Sequence, residues 1–271
     1  MTASETTGAF KNKRNQTLYY QRHFPKTEVA LGLVVFLHGL GEYSARYKEL
    51  LEFLRDAKWV VYAYDFVGHG QSEGEQMYFD RFENLVEDTG VFMEFARSDM
   101  NSTFQGSIAD KCILIGNSLG GLSYSRSACV PQTLALSIQS VIVSILSATF
   151  PQWRIIPGGD RNNLTSDQTI LDAMDDDPYL NKLPTSCRVA QELLDAFSST
   201  SLRRQDVHVP VLVLLGSDEK MVSTASIRDY VDGIASQDKK LLVLDGFGHL
   251  MLLKPDRQQV FDAVVVWLDR H

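Results

Sequence analysis

Short apolar runs separated by helical patterns organise this chain. Leu18–Phe24 reads as an early strand, antiparallel to the strands after it. Leu33–Leu37, Val60–Tyr64, Ile113–Ile115, Val141–Leu146, Val211–Leu215 and Leu241–Leu244 then give six β-rich segments. Their apolar positions are continuous rather than alternating, which is what a strand covered on both faces requires. Between them lie amphipathic helical patterns at Ala45–Asp56, Arg81–Arg97, Leu119–Ala128 and Ser223–Ala235, with a last one at Arg257–Leu268 that would cover a sheet edge through Val260, Val264 and Trp267. The alternation predicts an α/β fold with a mostly parallel central sheet and helices on both faces.

One stretch breaks the alternation. Residues 151–205 hold no convincing strand and two helical patterns, Gln168–Asp175 and Cys187–Phe197, joined by Pro- and Asp-rich segments. That is too long for a simple crossover, so it is expected to be an inserted helical cap over the carboxyl edge of the sheet. The expected organisation is a core formed by residues 1–150 and 206–271, interrupted by the cap at 151–205.

The 271 residues suffice for one large α/β domain, and 44% hydrophobic with 22% charged residues is ordinary globular composition. A net charge of −8 argues against a nucleic-acid surface and against purely electrostatic attraction to anionic membranes. Cys112, Cys129 and Cys187 are odd in number, widely spaced and without a C-x-x-C pair, so free thiols in a reducing compartment are expected. The opening Met1–Glu5 has no basic start followed by an apolar run, and no apolar stretch reaches the length of a span. A cytoplasmic protein is the expectation.

Candidate chemistry centres on Gly116-Asn117-Ser118-Leu119-Gly120, entered straight from the run Cys112–Ile115. A serine between two glycines, after a strand and before a helix, suits a sharp turn that leaves its hydroxyl exposed. A second match, Gly70-Gln71-Ser72-Glu73-Gly74, lacks both strand and helix, so Ser118 is the expected nucleophile. A serine nucleophile needs a base and an acid that orients the base. His249, in Gly246-Phe247-Gly248-His249 after the last strand, is the expected base, whereas His23, His208 and His271 look structural or terminal. The acid should follow Val211–Leu215, where Asp218 and Glu219 compete and Asp245 is a poorer third. Two N–H donors are needed for the oxyanion: Leu119 at the helix start, and Leu40 in the loop His38-Gly39-Leu40-Gly41-Glu42. No metal or other cofactor is required; Asp175-Asp176-Asp177 lacks the ligand spacing of a calcium loop and reads as a solvated helix end.

The loop His38–Glu42 with Ser44, Arg46 and Tyr47, then Asp65 with Gly68–Gly74, then Gly116–Gly121, resemble the monoacylglycerol lipase and lysophospholipase branch of the α/β-hydrolases. In the expected cap, Leu164-Thr165-Ser166-Asp167 and Asp177-Pro178 look like the family's cap signature. The resemblance implies Ser118 as nucleophile, His249 as base and Leu40 with Leu119 as oxyanion donors. It also implies that Ser72 lies in a loop after a core strand. Two departures stand out. The family's acid, an aspartate three residues after the strand-ending glycine, corresponds to Glu219, so either glutamate replaces it or Asp218 has taken the role. Relatives often carry a further histidine for glycerol after the base, where this chain has Leu250–Leu253.

The expected activity is hydrolysis of a lipid ester through an acyl-enzyme on Ser118. A broad small-ester carboxylesterase or thioesterase, or a non-catalytic ligand-binding member of the fold, are the alternatives. Glu42 and Arg46 are expected near the alcohol side of the ester. Apolar cap residues including Trp153, Ile155, Leu183 and Phe197 are expected to pack the cap, line an acyl tunnel or touch a membrane surface transiently.

Overall fold

The computed structural model describes residues 5–125, 144, 146–156 and 160–271. They group into two compact units: Met1–Tyr124 with Pro178–Lys182, and Ser125–Asp177 with Leu183–His271.

In the first unit, β1 (Glu5–Lys11) and β2 (Thr17–His23) form an antiparallel hairpin, β1 being a strand the apolar pattern did not announce. Beyond a short β3 (Val29–Ala30), β4 (Leu33–Leu37) pairs in parallel with both β5 (Val60–Tyr64) and β7 (Cys112–Gly116), while β3 pairs with β6 (Ser107–Ile108). The sheet order is β1-β2-β5-β4-β7, with β2 antiparallel to β5. Every residue of β4 and β5 is buried, the result expected of continuous apolar runs between two helical layers. Helix Lys48–Asp56 buries Leu50, Leu51 and Leu54; a 3-10 turn, Ser44–Tyr47, precedes it. Helix Phe82–Thr103 packs Phe92 against Phe10 and Tyr64, with ring centroids 4.9 and 4.6 Å apart. The carboxyl ends of β4, β5 and β7 release the loops at His38, Asp65 and Asn117, the edge at which open α/β sheets carry their sites.

In the second unit, β8 (Val211–Gly216) and β9 (Lys239–Leu244) run parallel, joined through helix Thr224–Gly233, whose Tyr230 and Val231 pack on Val211, Val213 and Leu241. Helices Gln168–Asp176 and Cys187–Arg203 occupy the sequence between 151 and 205, N-capped by Asp167 and Ser186. The last helix, Gln258–Leu268, buries Val260, Phe261, Val264 and Leu268; Trp267 stands off that stripe and stacks on His271 at 4.1 Å. Of the expected strand Val141–Leu146 only Ser144 and Leu146 are described, and at those two residues the expectation requires correction. Residues 141–143 and 145 lie outside the described residues, but Ser144 and Leu146–Thr149 are helical. A short run apolar on every side carries no period that separates a buried strand from a buried helix. Ala128 and Cys129 also lie outside the described residues; Cys112 and Cys187 are free thiols. Among the described residues no helix is long and apolar enough to cross a membrane.

Candidate active site

The first unit builds its part around Ser118. Asn117 N–H donates to the Leu37 carbonyl at 2.9 Å, carrying β7 into the turn alongside β4. Ser118 then adopts φ +50°, a left-handed conformation that costs a non-glycine residue about 1 kcal/mol and lifts its side chain off the sheet edge. Helix Leu119–Ser125 starts at once, Leu122 N–H donating to the Ser118 carbonyl at 3.0 Å. A Cβ on Gly120 would lie 2.3 Å from the Leu37 carbonyl oxygen, so only glycine lets the helix start press this close to the strand. Leu119, heading the helix, has an N–H with no acceptor inside it.

The loop after β4 forms a turn in which Glu42 N–H donates to the Gly39 carbonyl. Its conformation is fixed by buried side chains. One oxygen of the Glu42 carboxylate accepts from Gly39 N–H at 3.2 Å, from the Tyr47 hydroxyl and from Asn117 Nδ2 at 3.3 Å; the other meets Arg46 Nε at 3.3 Å. Asn117 Nδ2 also donates to the Tyr47 oxygen at 2.8 Å. Burial, with Glu42's charge beside it, pushes the Tyr47 hydroxyl well above the ordinary phenol range, so it stays a donor. Glu42 and Arg46, expected to meet substrate, are thus turned onto one another and onto the loop. His38 completes the scaffold: its Nδ1 donates to the Gly39 carbonyl at 2.7 Å and its Nε2 accepts from Phe66 N–H at 3.0 Å. Burial lowers its pKa to about 4, keeping it neutral.

Ser72 is occupied elsewhere. Its hydroxyl donates to the Asp65 carbonyl at 2.6 Å and accepts from Tyr19 N–H at 2.9 Å. Asp65 itself, buried, accepts from Ser44 and Gln71 N–H at 2.7 and 2.9 Å; burial raises its pKa against the pull of those donors. This second Gly-x-Ser-x-Gly is a braced loop.

In the second unit the loops after β8 and β9 are zipped by backbone bonds: Ser217 N–H to the Leu244 carbonyl and Asp218 N–H to the Phe247 carbonyl, both at 2.9 Å. Glu219 emerges beside His249, with Nδ1 and Oε2 2.8 Å apart. Its other oxygen accepts from Met221 and Val222 N–H at 2.6 and 3.2 Å. Burial works to raise this carboxyl, but the imidazole and the two backbone donors outweigh it and hold the pKa below the usual value. Donation from Nδ1 to Glu219 fixes the tautomer and makes Nε2 the basic nitrogen. Asp218 faces the Ser217 hydroxyl at 3.2 Å, as does Asp245 at 3.3 Å, so neither is at the imidazole. Leu164, from the expected cap signature, accepts from Leu250 N–H at 3.1 Å and so seats the residue after His249. His23 is bonded to Gln21, His208 is exposed and His271 pairs with Asp238.

Sequence reasoning missed Asn117 and gave Tyr47 no task. Asn117 sits inside the serine motif and Tyr47 inside the motif after β4, so the signal lay in known positions whose partners were out of view.

The family model described as "Serine aminopeptidase, S33" matches residues 29–132 and 125–256. Over 257 residues the chain is 28% identical to a monoacylglycerol lipase of Mycolicibacterium smegmatis, covering 89% of each protein. Over 268 residues it is 26% identical to human monoglyceride lipase, covering 92% of this chain and 86% of that one. A soluble variant of Saccharomyces cerevisiae monoglyceride lipase, solved with a substrate analog, superposes with a TM-score of 0.82 at 20% identity, covering 100% of this chain and 96% of that one. With its strand-turn-helix serine and these matches, the chain belongs to the serine aminopeptidase S33 family and has the α/β-hydrolase fold.

Proposed function

We propose that this protein is a serine hydrolase of lipid carboxylic esters, of the monoacylglycerol or lysophospholipid type. Ser118 Oγ attacks the ester carbonyl while His249 Nε2 takes its proton, and Glu219 stabilises the imidazolium. The N–H groups of Leu40 and Leu119 hold the oxyanion. Collapse expels the alcohol, which receives the proton from His249. Water, deprotonated by the same imidazole, then attacks the acyl-enzyme, releasing the fatty acid and restoring Ser118. The observation that supports this most is the 2.8 Å pairing of Glu219 with His249 on the loops after β8 and β9. Glu219 rather than Asp218 is the acid of this reading, and Glu42 with Arg46 brace the loop instead of binding substrate.

Residues 151–205 serve as the cap between core parts 1–150 and 206–271. Two α-helices, short 3-10 turns and, of β structure, only an isolated bridge between Ile156 and Thr185 occupy its described residues. The cap makes transient contact with a lipid surface through Phe150 at its edge, Trp153, Ile155 and Leu183. All four are exposed, and Phe150 stacks on Trp153 at 4.1 Å. Each apolar methylene such a surface covers contributes about 0.8 kcal/mol. A cytoplasmic location fits the free thiols Cys112 and Cys187.

Labelling with a fluorophosphonate and assays on a p-nitrophenyl ester series test the proposal. Ser118→Ala is expected to abolish labelling and lower kcat/KM by about 10⁴ or more. An optimum at acetate would redirect the assignment to a small-ester carboxylesterase, and unlabelled wild-type protein to a ligand-binding relative.

A further inference from the structure

Pro178–Lys182 belongs to the first unit although its chain neighbours on both sides belong to the second. It is seated on the loop that carries Leu40. Asn181 N–H donates to the Gly41 carbonyl at 2.8 Å, and the Asn181 carboxamide reaches the Met77 sulfur. Two residues earlier, the Tyr179 ring packs on Tyr43, just beyond Glu42, at 5.5 Å. Gly41 is the residue of this turn whose backbone is least confined by its own chemistry: it sits at φ +74°, which glycine enters and leaves at little cost. Rotation at Gly41 would swing the Leu40–Gly41 peptide and, through the Leu40 backbone, turn the Gly39–Leu40 peptide that carries the N–H assigned to the oxyanion. The Glu42 carboxylate holds the turn from the Gly39 side, and Asn181 holds it from the Gly41 side. The anchor beneath Asn181 is firm as well. Met77 is buried and left-handed at φ +50°, with its N–H on the Gly68 carbonyl at 2.7 Å.

We propose that Asn181 is a positioning residue: its carboxamide, anchored on Met77, presents its backbone N–H to Gly41 and so aims the Leu40 N–H at the developing oxyanion. This rests on the oxyanion role given to Leu40 under the proposed function. It makes five residues of the expected cap part of the transition-state machinery without contact to substrate.

The test compares wild type, Asn181→Ala and Asn181→Pro by kcat, KM, melting temperature and inhibition by an acyl trifluoromethyl ketone, whose adduct carries the oxyanion. In Asn181→Ala, kcat is expected to fall about 10-fold with KM within about twofold, and the inhibition constant to rise by the same factor as kcat falls. Asn181→Pro, which removes the donor itself, is expected to lose more. A folded Asn181→Ala with unchanged kcat overturns the proposal, as does a loss carried by KM alone, which would make the segment a substrate contact. Should Asn181→Ala fail to fold, Met77→Leu removes the sulfur acceptor at similar volume; it is expected to reproduce the kcat-only loss, and its failure to do so counts equally against the proposal. Wild-type protein that neither turns over esters nor takes a fluorophosphonate would instead refute the hydrolase reading itself.

Discussion

The region around Ser118 in the first unit and the region around His249 in the second are each built by different forces. Around Ser118 and Leu40, a buried carboxylate, a guanidinium, a phenol and a carboxamide interlock, and the backbone adopts left-handed conformations at Gly41 and Ser118. Around His249, backbone bonds join two loops, the Ser217 hydroxyl reaches Asp218 and Asp245 beside them, and the pair of Glu219 with His249 orients the ring. The chemistry proposed for each matches the contrast. An oxyanion donor works only when its N–H is aimed before the charge develops, so its loop must be rigid from several directions. An imidazole needs one nitrogen fixed to define the basicity of the other.

The sharpest way to break this comparison is at the acid. Glu219→Ala is expected to lower kcat by about 10³ to 10⁴ and Asp218→Ala by no more than about threefold, read in steady-state kinetics on one ester. The reverse order would return the role to Asp218 and dissolve the assigned pair. In the first half the expected loss is of stability as much as rate. Glu42→Ala strands a largely buried guanidinium and frees Gly39 N–H, costing about 3 kcal/mol in a denaturant titration. A value near zero would mean the network is decorative.

Acid should also separate the halves. Burial holds His23 and His38 down to about 4; burial and the neighbouring His38 hold His69 down to about 3, against an ordinary value of 6.5. Between those values the unfolded chain binds more protons than the folded one. Stability present above pH 6.5 is therefore lost as pH falls toward 4. All three histidines lie in the first unit, so hydrogen exchange at acid pH should quicken there, at β2 and the loops after β4 and β5, before it does at β8 and β9. The smallest effect is expected at Ser72→Ala: a loss of about 1 kcal/mol for two hydrogen bonds, with kcat and fluorophosphonate labelling preserved.

Much of this was legible in the chain because it is local. The continuous apolar runs announced β4, β5, β7, β8 and β9, since a buried parallel strand needs no partner to show its pattern. The glycines around Ser118 announced a tight bend, since a missing side chain is visible without a fold. The helical Ser144 and Leu146 were not foreseen for the converse reason: an apolar run of the length of Val141–Leu146 has no period of its own. Nor could β1 be seen, because Glu5–Lys11 takes its order from pairing with β2 rather than from its own hydrophobicity.

The sequence by itself determined which chemistries this protein can offer: a serine on a strand-turn-helix bend, a histidine after the last strand, two carboxylates after the one before, and two glycine-rich loops. Only the tertiary structure set Glu219 and not Asp218 against His249, turned Glu42 and Arg46 inward, occupied Ser72 and brought Asn181 onto Gly41. A residue's chemistry and its backbone freedom are properties of a few neighbouring positions. Which oxygen meets which N–H is set by packing among segments scores of residues apart, and here that packing gives Glu219 the imidazole and leaves Asp218 on a serine hydroxyl.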